Sequence, residues 1–284
     1  MVGTATGNGL SKLGHQVIFY DVDKNRIRLL KASNKNVTSK IDEAIGKSEI
    51  SYICVPTPFE GNRMNLDCIK SAVVDLAKSL TKRKGYHLVV VKSTILPKTS
   101  EETIVPLLEE VSEKKVGVDI GFCVNPEFLT EISKTWTSSQ KFSKDFQTED
   151  RIVIGEFDTK SGDLLAGLYE YSKIPIIRTD MRTAEMIKFA SNCALSTRIS
   201  YWNEIYYMCQ LLKIDSNLVA EVSAMDARIG KYGTVHGKAF GGKCLPKDLQ
   251  ALIKFSQLAG YEPLLLKAVL EINDKIRSEK GARE

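Results

Sequence analysis

The chain has 284 residues, 43% hydrophobic and 26% charged, an ordinary globular composition that excludes disorder over most of its length. At roughly 100–200 residues per domain, it holds one large domain or two ordinary ones. Forty Lys+Arg against 35 Asp+Glu give +5, a dispersed surplus that suits a small anionic ligand and argues against nucleic acid. No apolar run nears the roughly 20 residues of a membrane span, and no charged-then-apolar leader pattern opens the chain. The six cysteines (54, 68, 123, 193, 209 and 244) show neither metal-ligand spacing nor a disulfide framework. Free thiols in a reducing cytoplasm, with no membrane contact and no metal, are expected.

Met1-Val2-Gly3 leads into a helical stretch to Leu13, and Gly14-His15 turns into an apolar run at 16–20 that ends at Asp21. Further Val/Ile-rich runs follow at 51–55, 87–91, within 116–124, at 151–155 and at 173–177. They do not alternate, the mark of strands buried on both faces of a parallel sheet. Helical stretches at 66–80 and 101–113 lie between them. This alternation predicts an α/β domain with a Rossmann-like parallel sheet over residues 1–180. From 181 the pattern becomes helical: 184–212 lacks Pro and Gly, and 215–225, 245–258 and 263–278 are further helices. Residues 181–284 are read as a mostly α-helical second domain. The polar segment 133–148, rich in Ser, Thr and Lys, reads as a surface excursion.

A dinucleotide-binding unit needs an apolar strand, a glycine fingerprint, a helix, and an acid after the second strand. Gly3 fits the last glycine of that fingerprint, and Asp21 fits the acid that accepts from a ribose hydroxyl and favours NAD over NADP. The first strand and the first two glycines are not found. Val55-Pro56-Thr57-Pro58 and Lys92-Ser93-Thr94 follow the second and third runs, where such sheets bind ligands. Their hydroxyls can reach a cofactor or simply cap the next helices. In Phe240-Gly241-Gly242-Lys243-Cys244-Leu245-Pro246-Lys247-Asp248, two glycines let the backbone approach a ligand and a lysine favours thiolate. Asp248 shares a face with Cys244 if a helix starts there. Lys188 and Asn192, four apart on one helix, can hold an oxyanion or a water, or can be a solvated surface pair.

The segment around Cys244 resembles the catalytic-cysteine motif of the UDP-glucose/GDP-mannose dehydrogenase family. Other segments resemble the same family in the same order: Gly3 to Asp21, YICVPTP at 52–58, VKST at 91–94, and DRIVIG at 150–155. Asn125-Pro126-Glu127-Phe128-Leu129-Thr130-Glu131 is similar to its N-P-E-F-L-x-E signature. AEMIKFASN at 184–192 with Asn203-Glu204, DARIG at 226–230, and AGYEP with IND at 259–274 complete the series.

The resemblance implies NAD-dependent oxidation of the C6 alcohol of a nucleotide sugar to the carboxylate, in two hydride transfers without release of the aldehyde. It implies Cys244 as the nucleophile that forms a thiohemiacetal and then a thioester, with Glu127 and Glu131 as candidate bases for water. Asp248 then belongs to a water and base network with Lys188, and Thr94 lies beside the nicotinamide and that water. Thr57, Lys247 and Glu131 become cofactor contacts, and Gly241 a substrate contact. Arg228 reaches a neighbouring subunit's sugar site, which implies a homodimer through the central helix. The chain departs from the family pattern at Lys243, at Lys98 where glycine is common, and in the length of 133–148. The family's opening strand and third domain find no counterpart. A fragment, a split enzyme whose third domain is a separate chain, and a degenerate copy are the expectations this raises. A two-domain NAD-dependent hydroxyacid dehydrogenase and a non-catalytic dimerising homologue are the competing readings.

Overall fold

The computed structural model describes residues 2–129, 136–137, 146 and 148–283. Two compact units emerge, neither of them continuous in sequence. The first comprises Met1–Thr57, Asn65–Phe128 and Asp145–Met186. The second comprises Pro58–Met64, Leu129–Lys144 and Ile187–Glu284.

In the first unit, α1 (Val2–Lys12) turns through Gly14, at φ +95°, towards β1 (Phe19–Tyr20). Glycine recurs along α1 although each interior helical glycine costs about 0.5–1 kcal/mol relative to alanine. Close packing explains it. A Cβ at Gly3 would lie 3.1 Å from Cβ of Cys54, one at Gly7 2.5 Å from the Phe19 ring, and one at Gly9 2.0 Å from the Phe146 ring. After β1, α2 (Lys24–Ala32) is capped by Asp23, which accepts from the Asn25 N–H, and crosses to β2 (Val37–Thr38). β1 and β2 pair in parallel as a sheet of their own. α3 (Ile41–Gly46) then leads to β3 (Ile50–Ile53).

Four more strands join β3. β6 (His87–Val91) and β7 (Ile120–Val124) are buried along their whole length, as is most of β8 (Ile152–Glu156). β9 (Ile176–Asp180) forms the far edge, and the order is β3-β6-β7-β8-β9. α4 (Asp67–Thr81) links β3 to β6, and a π turn at Ser100–Ile104 running into α5 (Val105–Ser112) links β6 to β7. α6 (Thr159–Gly167), capped by Asp158, links β8 to β9.

Three differences from the sequence reading concern this unit. The sheet is not wholly parallel, because β7 and β8 pair antiparallel through Cys123–Glu156 and Val124–Gly155. β8 therefore starts at the end of the sheet where β7 finishes and runs back beside it. Burial on both faces demands apolar residues whatever the direction, so the Val/Ile runs could not report it. The run at 16–20 contributes only Phe19–Tyr20, and its partner β2 is too short to show as a pattern. The run at 173–177 becomes Ile176–Asp180, a half-exposed edge strand.

In the second unit, β4 (Phe59–Glu60) and β5 (Arg63–Met64) form a hairpin whose central Gly61 and Asn62 lie at φ +55° and +61°. Positive φ at both positions is the type I′ turn that matches strand twist. α7 (Met181–Leu212) begins in the first unit and continues through the second. α8 (Ser216–Ser223) is capped by Asp215. β10 (Ala239–Phe240) precedes α9 (Leu245–Leu258) and α10 (Leu264–Lys280), and pairs in parallel with β11 (Ala282–Arg283). Of the described residues in segment 133–148, Trp136, Thr137 and Phe146 are buried and Thr148 is exposed; the rest of the segment lies outside the described residues. The ring of Phe146 fills the space that Gly9 leaves open, and Trp136 accepts from the Gly233 N–H through its carbonyl. Among the described residues, no helix is long and apolar enough to cross a membrane.

Candidate active site

The loops that follow β3, β6 and β7 are stitched together, since those three strands are neighbours in the sheet. Thr57 Oγ1 donates to the Thr94 carbonyl at 2.6 Å, and Ser93 Oγ donates to the Val55 carbonyl at 2.7 Å. The buried Lys92 donates through Nζ to Asn125 Oδ1 at 3.0 Å. Asn125 also receives the Tyr169 hydroxyl at 2.9 Å and donates to the Val153 carbonyl at 2.8 Å. The segments 55–58, 92–94 and 125–128, read separately in the sequence, thus form one cluster at the carboxyl ends of parallel strands. Glu127 belongs to it and is 8% exposed. Phe128 beside it receives the Arg151 guanidinium over its ring at 4.1 Å, and its N–H donates to Glu149. Glu131 lies outside the described residues.

Asp21 directly follows β1, and one of its oxygens accepts the Asp23 N–H at 2.9 Å. Gly3 lies where α1 meets the end of β3. Alanine there would press on Cys54, whose thiol is pushed up to about 11 by burial.

In the second unit the cysteine loop meets α7. Cys244 is the N-cap of α9, is exposed, and has Pro246 in the first turn after it. The positive end of a 14-residue helix favours a thiolate at that point. Four residues on, Asp248 is 1% exposed. Its Oδ2 accepts from Asn192 Nδ2 at 2.6 Å and its Oδ1 from Lys247 Nζ at 2.5 Å. Lys188, one turn before Asn192 on α7, is 5% exposed, so the pair is no solvated surface feature. Burial pushes the Cys193 thiol up to about 12, with Asp248 adding to the shift, and pushes Cys123 far above its ordinary range. Cys244 is therefore set apart from the buried thiols by exposure and by its helix terminus.

The loop carrying Cys244 is held by residues that the spacing argument missed or left without a role. Arg198 of α7 donates to the carbonyls of Ile229, Gly230 and Tyr232. Asn203 bridges Gly237 N and the Lys238 carbonyl. Asn273 receives Phe240 N at 2.8 Å and donates to its carbonyl at 3.1 Å. Both asparagines are fully buried on helices, and an amide at an inward helical position is the signal that could have found them. Gly241 makes its close approach to the chain's own backbone: a Cβ would lie 2.8 Å from the Arg283 carbonyl, which accepts the Gly241 N–H. Gly242, at φ +74°, faces open space. Arg228 is exposed and forks onto Asp226.

Two family models match the chain. The NAD-binding domain of the UDP-glucose/GDP-mannose dehydrogenase family covers residues 31–173, and the central domain of the same family covers 182–275. A GDP-mannose 6-dehydrogenase of Pseudomonas savastanoi pv. phaseolicola is 35% identical over 96% of this chain and 66% of its own length. A UDP-glucose 6-dehydrogenase of Haloferax volcanii is 31% identical over 96% of this chain and 67% of its own. The solved UDP-glucose dehydrogenase of Pyrobaculum islandicum superposes with a TM-score of 0.84 at 30% identity, over 96% of this chain and 66% of that one. The chain thus spans about two thirds of the length of the relatives it matches. With an NAD-binding domain and a central domain matched in order, the chain belongs to the UDP-glucose/GDP-mannose dehydrogenase family.

Proposed function

We propose that this chain carries the catalytic centre of an NAD-dependent nucleotide-sugar 6-dehydrogenase acting on a UDP-glucose-like substrate. The observation that carries the reading is Cys244, exposed at the N-terminus of α9, with the buried Asn192–Asp248 pair and the part-buried Lys247 one turn behind it. Residues 1–180 are the NAD-binding part and 181–284 the central part with the cysteine loop. When bound, NAD would supply the oxidant, two molecules in turn each taking one hydride. Asp21, Thr57, Thr94 and Lys247 hold it, and the close packing at Gly3 supports the fit by drawing α1 onto the sheet end.

Lys188 and Asn192 stabilise the alkoxide that develops as the C6 alcohol loses its proton and hydride. Cys244 adds as thiolate to the resulting aldehyde, and the C–S bond retains it as a thiohemiacetal. Loss of a second hydride gives a thioester. Water activated by Glu127 or Glu131, oriented through Asp248, then breaks the C–S bond and releases carboxylate and thiolate. Arg228 completes a neighbouring subunit's sugar site in a homodimer. Exposed Tyr201, Met208 and Leu211 on α7, Leu218 and Val222 on α8, and Met225 just after it support such pairing.

Purified chain is incubated with UDP-glucose or GDP-mannose and NAD, with and without a relative's C-terminal third in trans, and NADH is followed by absorbance. Two NADH per sugar are expected from the wild type, and Cys244→Ser stops after the first oxidation. Two NADH per sugar at the wild-type rate from Cys244→Ser would refute the covalent route. No NADH from any sugar nucleotide, even with the third domain in trans, would refute the activity.

A further inference from the structure

The segment between Thr94 and α5 contains a backbone anomaly. Lys98 sits at φ +73°, in the left-handed region that disfavours residues with a Cβ. One buried side chain accepts from the backbone of that turn. Glu185 of α7, 2% exposed, accepts the Lys98 N–H on one oxygen at 2.7 Å and the Ser100 N–H on the other at 3.0 Å. Both oxygens of one buried carboxylate thus close on two amides at the start of the helical stretch from Ser100. The nearby surface charges are matched elsewhere, Lys98 Nζ with Glu102 and Arg182 with Glu101. At its other end the same loop is tied by Thr57 to the Thr94 carbonyl and by Ser93 to the Val55 carbonyl. The stretch 93–100 is therefore fixed at two points, and Glu185 supplies the second.

We propose that Glu185 is a positioning residue for the cofactor loop: its carboxylate holds the left-handed turn at Lys98 and thereby fixes where Thr94 stands. The proposal rests on reading residues 92–94 as a cofactor loop. The burial that lifts the Glu185 carboxyl to about 7 accords with a group kept for its two amide bonds at a cost in solvation. Glutamine cannot replace it, because one of its two terminal atoms is a donor and would face an N–H.

The test compares wild type, Glu185→Gln, Lys98→Gly and the double variant, all as the full chain, by amide hydrogen exchange and by NAD titration. In Glu185→Gln the amides of Lys98 and Ser100 are expected to exchange at least tenfold faster, and the NAD dissociation constant to rise about tenfold. Lys98→Gly in the same background is expected to restore NAD affinity to within about threefold of wild type, because glycine holds positive φ unaided. A role in global stability alone would move the melting temperature but would not give that recovery. Should Glu185→Gln fail to fold, Lys98→Val tests the same coupling with Glu185 intact, and NAD affinity is expected to fall tenfold. Unchanged protection at Lys98 and Ser100 with unchanged NAD affinity overturns the proposal. A wild-type chain that binds no NAD overturns the cofactor reading instead, and the exchange data, which need no NAD, tell the two failures apart.

Discussion

The network beneath Cys244 makes a quantitative demand. Asp248 is 1% exposed and has two donors on it, Asn192 Nδ2 at 2.6 Å and Lys247 Nζ at 2.5 Å. Asn192→Leu keeps the number and branching of the side-chain heavy atoms and removes one donor from a buried carboxylate. A hydrogen bond to a charged group contributes about 1.5–3 kcal/mol, and leaving a buried partner unsatisfied puts the cost at the upper end, about 2–3 kcal/mol. For a chain of this size each kcal/mol moves the melting temperature by about 2–4 °C, so a fall of about 4–12 °C is expected. Asp248→Leu in the same background removes the stranded group as well, and Lys247, whose side chain is 19% exposed, can turn to water. The double variant should therefore recover at least about 1 kcal/mol relative to the sum of the single variants. Urea unfolding with an unchanged slope measures all three. An Asn192→Leu cost below about 0.5 kcal/mol, or strict additivity with Asp248→Leu, would refute the claim that the two side chains form one unit.

Iodoacetamide labelling followed by mass spectrometry should modify Cys244 several-fold faster than Cys68. Both are exposed near helix N-termini, but Cys244 is flanked by Lys243 and Lys247 and Cys68 follows Asp67. Glu185 and His87 should give opposite pH dependences of stability. Burial raises Glu185 to about 7, so its native form binds the proton that the unfolded chain has released, and about 3 kcal/mol of stability is lost as pH rises from about 4.5 through 7. Burial lowers His87 to about 4, so its unfolded form binds the extra proton, and about 3 kcal/mol is lost as pH falls from about 6.5 through 4. Urea midpoints across pH should show the acid limb steepen in Glu185→Gln, and an unchanged profile would refute the assignment. Gly9→Ala should destabilise by about 1–3 kcal/mol, because the new methyl meets the Phe146 ring at 2.0 Å and outweighs the helix-propensity gain. Gly46→Ala, with nothing within 4 Å, should be neutral or stabilising in the same thermal assay.

Much of the layout was legible in the sequence because local patterns encode it. The helical spacing over 245–258 reproduces α9, and the break before it places Cys244 at the N-cap. The Val/Ile runs marked the buried strands, and of the residues that the resemblance singled out the structure holds Thr57, Thr94 and Glu127 in one cluster and Asn192, Lys247 and Asp248 in another. Strand direction was not legible, because β7 and β8 need the same apolar residues whether they run together or opposed. The hairpin at Gly61-Asn62 left a signal that length and spacing alone passed over.

What the sequence determined by itself was therefore the family and the order of the main helices and buried strands, since each depends on residue type at fixed spacing. Tertiary structure decided the partnerships. Asn192 meets Asp248 across 56 positions, Lys92 meets Asn125 across 33, and Glu185 reaches back 87 positions to a left-handed Lys98. No local pattern specifies such pairs, because a buried polar group is satisfied by whatever the fold brings within hydrogen-bonding distance, and only the folded chain settles which group that is.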